Sequence, residues 1–158
     1  MPDIKELYPI PDEVKKFYTF LGDWDVEGKL EFDNNIMKIQ GTWTFTKAAG
    51  GWGIKSSNGL EIEDLGHYEL DNLFGFDRET GELHIYSLTN MAETHDHKAV
   101  WTDDNTLNGD YEGLKDGKKF REDFTLKIVN SDEITIDYVE KIDDELESTM
   151  NIRLKRKK

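Results

Sequence analysis

From Trp24 onward the chain alternates between apolar and polar residues. Trp24, Val26, Gly28, Leu30 and Phe32 share one parity, and Asp23, Asp25, Glu27, Lys29 and Glu31 the other. A two-residue period of this kind marks a β-strand with one dry face and one wet face. After an Asp33-Asn34-Asn35 turn the pattern resumes, with Ile39, Gly41, Trp43 and Phe45 opposite Gln40, Thr42, Thr44 and Thr46. Gly50 and Gly51 break the chain, and Trp52, Ile54 and Ser56 open a third strand that Asn58-Gly59 is expected to close as a hairpin turn. Further strands are predicted over roughly 61–70, 73–76, 83–90, 95–102, 106–114, 119–129, 134–141 and 147–155. Between them, Arg78-Glu79-Thr80-Gly81, Asp103-Asp104-Asn105 and Lys115-Asp116-Gly117 combine residues that tolerate turn dihedrals.

Only the start of the chain departs from this period. Pro2, Pro9 and Pro11 all precede the strands, where none of them interrupts a ladder. Val14, Phe17, Tyr18 and Leu21 then recur at helical spacing, with Pro11 suited to the first turn and Gly22 to the stop.

Short connections without crossover helices exclude a parallel sheet, which needs a dozen or more residues per return. A long antiparallel meander with one apolar face hides that face and loses its edges by closing on itself. The expected fold is therefore all-β: an antiparallel up-and-down barrel of about 8–10 strands with one short N-terminal helix, with a sandwich as the second choice. Residues 1–158 are expected to form a single domain.

The order helix, Leu21-Gly22-Asp23-Trp24, meander and closing basic strand resembles the lipocalin-like (calycin) barrels. In that family a Gly-x-Trp opens the first strand, and its Trp packs at the barrel base, often beneath an Arg of the last strand. The resemblance assigns the Trp to Trp24 and the Arg to Arg153 or Arg156, as a cation–π pair. A narrower resemblance is to a bacterial family of unknown function. It rests on Phe20-Leu21-Gly22-Asp23-Trp24, Gly50-Gly51-Trp52, Gly75-Phe76-Asp77 to Tyr86, and Met150-Asn151-Ile152-Arg153-Leu154-Lys155-Arg156-Lys157. It spans about residues 14 to 157 and implies a fold, not an activity. Haem-binding barrels of the nitrobindin kind are relatives at fold level and ligate iron through a late His, whereas this chain has no His after His97.

Composition narrows the partners. With 34 acidic against 20 basic side chains the formal charge is -14, a field that repels nucleic-acid phosphates and anionic lipid. Neither nucleic acid nor membrane is an expected partner. The basic stretch from Arg153 to Lys158 reads as a solvated end. No Cys is present, which removes disulfides, thiolate metal sites and thiol nucleophiles. Without an apolar leader or a span of about 20 apolar residues, a cytoplasmic location is expected.

Three constellations carry chemistry. His95 and His97 lie two apart, so a strand turns both imidazoles to one face, where they suit a cation if a third ligand such as His84 joins them. The preferred reading is nevertheless polar residues at a loop-to-strand junction, and no metal or other cofactor is expected. Glu122 shares a parity with Phe120, Phe124 and Leu126, and Glu140 follows Ile134, Ile136 and Tyr138. Inward carboxylates of this kind acquire shifted pKa values and serve acid–base chemistry. Glu122, Glu140 and Tyr138 are therefore the catalytic candidates for a cofactor-independent isomerase, cyclase or hydrolase. The third set is aromatic. Trp43, Trp52, Tyr68, Tyr86, Trp101 and Tyr138, with His97 and Glu122, are expected to line a cavity for a small apolar or aromatic molecule. That binding role is the first expectation, the enzyme the second, and a structural or oligomerisation role the third, in a monomer or homodimer. Phosphate-loop, dinucleotide and nucleophile-elbow signatures are absent.

Overall fold

The computed structural model describes all residues, Met1–Lys158. Ten antiparallel strands close into one ring in the order β1-β10-β9-β8-β7-β6-β5-β4-β3-β2. They are β1 (Gly22–Phe32), β2 (Asn35–Ala48), β3 (Gly53–Ile62), β4 (Gly66–Asp77), β5 (Glu82–Thr89), β6 (Thr94–Trp101), β7 (Thr106–Lys115), β8 (Lys118–Asn130), β9 (Glu133–Ile142) and β10 (Glu145–Arg156). Every consecutive pair is a hairpin, and β1 seals the ring against β10, from Trp24↔Arg156 to Phe32↔Ser148. Closure removes both sheet edges and excludes the sandwich.

The alternating residues sort as the period requires. Trp24, Val26, Ile39, Trp43, Ile54, Leu60, Leu126, Ile136, Ile152 and Leu154 are buried on the inner face. The third strand departs from the expectation. β3 runs straight through Asn58 and Gly59, which pair with Trp43 and Thr42 of β2. Leu60 and Ile62 continue the apolar parity past them, and the hairpin falls at Glu63–Leu65, where Asp64 (φ 63°) and Gly66 (φ 91°) take the left-handed backbone. The predicted strands 61–70 and 73–76 accordingly become the end of β3 and a single β4.

The N-terminal segment plugs one end. A turn of helix, α1 (Ile4–Leu7), is capped by Asp3, whose carboxylate accepts from the backbone N–H of Lys5 at 2.8 Å and Glu6 at 3.0 Å. The helix expected from Asp12, with its stop at Gly22, is α2 (Asp12–Lys16), followed by a 3₁₀ turn at Phe17–Phe20. Val14, Phe17 and Phe20 are fully buried. Phe17 meets Phe74 and Trp101 at ring-centroid distances of 5.4 and 5.7 Å, and Phe20 meets Phe45 at 5.6 Å.

Trp24 lies beneath this plug, with its indole N–H donating to Phe20 O at 2.7 Å. The Arg over it is Arg156, with its guanidinium carbon 4.2 Å from the ring centre. Arg156 also donates to Leu21 O at 2.6 Å and Thr19 O at 2.9 Å, tying the last strand to the plug. Arg153 has the outward parity and pairs with Glu133 instead. No helix is long and apolar enough to cross a membrane.

Candidate functional site

The lumen is apolar beneath the plug and polar toward the opposite end, because inward parity there falls on polar residues. One row follows the strand register Ser56↔Asn72↔Ser87↔His95 across β3 to β6. Its side chains are linked: Asn72 donates to Ser56 Oγ at 3.1 Å, and Ser87 donates to Asn72 Oδ1 at 2.6 Å. A second row, Tyr111↔Glu122↔Glu140↔Ser148, crosses β7 to β10. The two rows meet where β6 and β7 are paired for only four residues, Lys98–Trp101 against Leu107–Asp110.

At this seam His97 Nε2 lies 2.5 Å from Glu122 Oε1, and both side chains are buried. His97 Nδ1 donates to Ile85 O at 3.3 Å. His95 projects to the same side and stacks on Tyr111, with centroids 4.0 Å apart and planes at 14°. Burial pushes the pKa of His95 down and favours the neutral imidazole.

The carboxylates differ although they are register partners. Burial pushes Glu122 up, but the hydrogen bond and charge of His97, with His95 beyond, outweigh it and hold Glu122 below the usual carboxylate range. Glu140 is pushed up to about 7, first by burial and then by the negative charge of Glu122. Ser148 donates to Glu140 at 3.0 Å. Burial, and then the Glu122 charge, also raises the phenols of Tyr68 and Tyr138, which stay neutral donors. An ionised carboxylate, a carboxyl that exchanges its proton near neutrality and an imidazole thus share one lumen. Such a set can bind a cation or a hydrogen-bonding guest, or pass a proton.

The expected site residues divide accordingly. His97, Glu122, Glu140, Tyr138, Tyr68 and His95 share the lumen, and Trp43 joins them from β2. Glu122 has no guanidinium partner, because Arg121 faces outward and holds Asp123 and Glu112. Tyr86 does not belong. It has the outward parity of β5, is 51% exposed and stacks on His84. His84 is likewise outside, bound to Asp96 at 2.8 Å. β5 and β6 do pair, but Ile85, not His84, is the residue opposite His97. Trp52 sits in the turn before β3 and donates to Tyr8 O at 2.8 Å, outside the lumen. Trp101 is inward but belongs to the plug, donating to Glu13 O at 3.2 Å and packing on Phe17.

Other residues of the lumen escaped the sequence reading. Asn58 was assigned to a turn, yet it is buried beside Trp43. Trp43 Nε1 and both amide atoms of Asn58 are buried without a hydrogen-bond partner in the protein. Ser56 and Asn58 share the parity of Ile54 and Leu60, which was the available signal of an inward polar row. Tyr111 and Ser148 carried no signal of their own, since their roles follow from the register with Glu122 and Glu140.

No family model matches this chain, and no curated protein does. Among solved structures it is similar to the S-type phycobiliprotein lyase CpeS from Guillardia theta, at 10% identity over 99% of each chain and a TM-score of 0.64. It also aligns with EF1p2_mFAP2b bound to DFHBI, at 12% identity over 91% of this chain and 98% of that one, TM-score 0.47. At such identities the likeness to the lyase speaks for the fold alone. With the closed ten-strand ring and the Trp24–Arg156 base, it agrees with the antiparallel up-and-down barrel fold that the resemblance to lipocalin-like barrels implies.

Proposed function

We propose that the barrel binds a small planar molecule that carries both a hydrogen-bond acceptor and a donor. The observation that carries this reading is the set of orphaned polar atoms on the inner wall: Trp43 Nε1, Asn58 Nδ2 and Asn58 Oδ1. A buried polar group without a partner costs about 1–3 kcal/mol, so native proteins rarely keep three together unless something else satisfies them. Trp43 and Asn58 are cross-strand neighbours. Between them they offer an indole N–H, an amide N–H and an amide oxygen, a pattern matched by an amide, a lactam or a phenolic ketone. The phenols of Tyr68 and Tyr138 add neutral donors from other strands, and stacked aromatic walls favour a flat guest. The sequence expectation of an apolar or aromatic ligand is thereby narrowed to an aromatic one with polar edges.

Tryptophan fluorescence titrations with neutral aromatic amides and phenols, and with Nile red, test the proposal. Saturable quenching at one site per chain, weakened roughly tenfold or more by Asn58→Leu and unaffected by Tyr86→Ala, is the expected result. If no compound gives a saturable response, or if the response ignores Asn58→Leu, the reading fails.

A further inference from the structure

The His95, His97 and Glu122 cluster does not depend on the Trp43–Asn58 pair. We propose that these three side chains form a binding site for one divalent first-row cation of the zinc class, with a coordination position left open to the lumen. One donor atom from each residue can be chosen so that all three lie within 4.8 Å of one another. A tetrahedral ion with bonds of about 2.1 Å needs donor separations of roughly 3.4 Å. The His97–Glu122 contact of 2.5 Å therefore has to open by about an ångström, and no pair has to close by more than about 1.4 Å. Side-chain torsions of Glu122 and His95 supply such movements without displacing a strand.

The supports around the three are those a metal site requires. His97 Nδ1 is engaged by Ile85 O, which turns Nε2 toward the lumen, and a backbone carbonyl is a usual outer partner for a metal-bound imidazole. His95 is held by stacking, on Tyr111 at 4.0 Å and against Phe120 at 5.7 Å. Glu122 has no competing cationic side chain other than His97. In the metal-free protein Glu122 and His97 hydrogen-bond to each other, and a bound metal ion would replace that hydrogen bond.

The donor set selects the ion. Two imidazoles and one carboxylate suit zinc, cobalt, nickel or ferrous ions, whereas magnesium and calcium prefer all-oxygen shells. With no Cys in the chain, soft thiolate chemistry is excluded. The formal charge of -14 favours accumulation of cations near the protein. Two other His residues sit beside carboxylates on the outer wall, His67 with Glu61 and Glu69, and His84 with Asp96 and Glu82. These are the sites that adventitious surface binding would use.

Full-length protein stripped with EDTA is titrated with ZnCl2 by calorimetry and with CoCl2 by visible absorption. One zinc per chain at micromolar or tighter affinity, and cobalt ligand-field bands abolished by zinc, are expected. His95→Ala and His97→Ala should each weaken zinc on the order of 100-fold, while His67→Ala, His84→Ala and Asn58→Leu leave it unchanged. His97 is buried, so its variant is first checked for folding by circular dichroism. If it fails to fold, His95→Ala and the isosteric Glu122→Gln carry the test. Zinc affinity that survives both of these, or that disappears in His67→Ala or His84→Ala, overturns the proposal, as does the absence of binding below millimolar zinc. Displacement of zinc by equimolar MgCl2 would overturn the assigned ion class.

Discussion

Glu122 and Glu140 show how far one wall can separate two chemically equal side chains. Each is inward and largely buried, but only Glu122 has an imidazole in contact. Glu140, left with Ser148 as its donor and Glu122 as a neighbouring charge, holds its proton up to about pH 7. The sign of its contribution follows from linkage. A carboxyl whose folded pKa lies above its unfolded value stabilises the fold while protonated, and that stability is lost as pH rises from about 4.5 through 7. Glu122 and His95 both have lowered values and contribute in the opposite sense, Glu122 below about 4.5 and His95 below about 6.5, so that His95 overlaps the Glu140 window. Lys115, which favours ionised Glu140, only moderates its shift. A comparison of EDTA-treated wild type with Glu140→Gln therefore isolates the Glu140 part. Between pH 5 and pH 8 the wild type should lose on the order of 1–3 kcal/mol relative to the variant in urea unfolding. Parallel pH profiles of the two proteins would show that Glu140 ionises freely in the fold.

Among the elements, the N-terminal plug contributes stability that the ring alone lacks. A ten-strand barrel leaves an opening at each end, and here one is filled by Val14, Phe17 and Phe20 on less than three turns of helix. Such a segment is too short to hold its shape by helix propensity, so its order comes from these three side chains and from the carbonyls that Arg156 holds. Phe17→Ala removes a ring packed against Phe20, Phe74 and Trp101. It should cost about 3–5 kcal/mol in denaturant midpoint experiments, and a cost below 1 kcal/mol would mean that the plug is peripheral. The same elements show what the chain made legible. Period-two patterning located the strands, the inward set and the short connections that force a closed meander, and Gly22-x-Trp24 placed the base. Parity also placed Glu122, Glu140, Tyr138 and His97 on one side of the wall. Hairpin positions were harder to read, because Asn58-Gly59 has turn chemistry and sits mid-strand, held there by the apolar parity of Leu60 and Ile62. Which residues meet across a closed ring is a matter of register and shear, and no local pattern reports it. Tyr111 beside His95, and Ser148 beside Glu140, became visible only once the ring was closed.

At the scale of the whole molecule, the barrel separates a lumen with few charges from an outer wall with many. Most Lys and Arg side chains outside lie near acids, as with Arg121 among Asp110, Glu112 and Asp123. Even if every basic group were paired, a net charge of -14 would remain spread over a surface of 9494 Å². The turns at the end opposite the plug add to it locally, with Asp33, Asp64, Asp116, Asp143 and Asp144 all at left-handed backbone positions. Exposed ion pairs contribute little each, whereas net repulsion acts among all the unpaired carboxylates and favours expansion of the chain. The two effects respond oppositely to salt, since screening weakens attraction and repulsion alike. Because the excess is so one-sided, relief of repulsion should outweigh loss of pairs. Raising NaCl from about 10 mM to about 0.5 M, where the Debye length falls from roughly 30 Å to under 5 Å, should increase the melting temperature of the metal-free protein by several degrees. A fall in melting temperature over the same range would mean that the outer ion-pair networks, rather than the net charge, govern the electrostatics of this barrel.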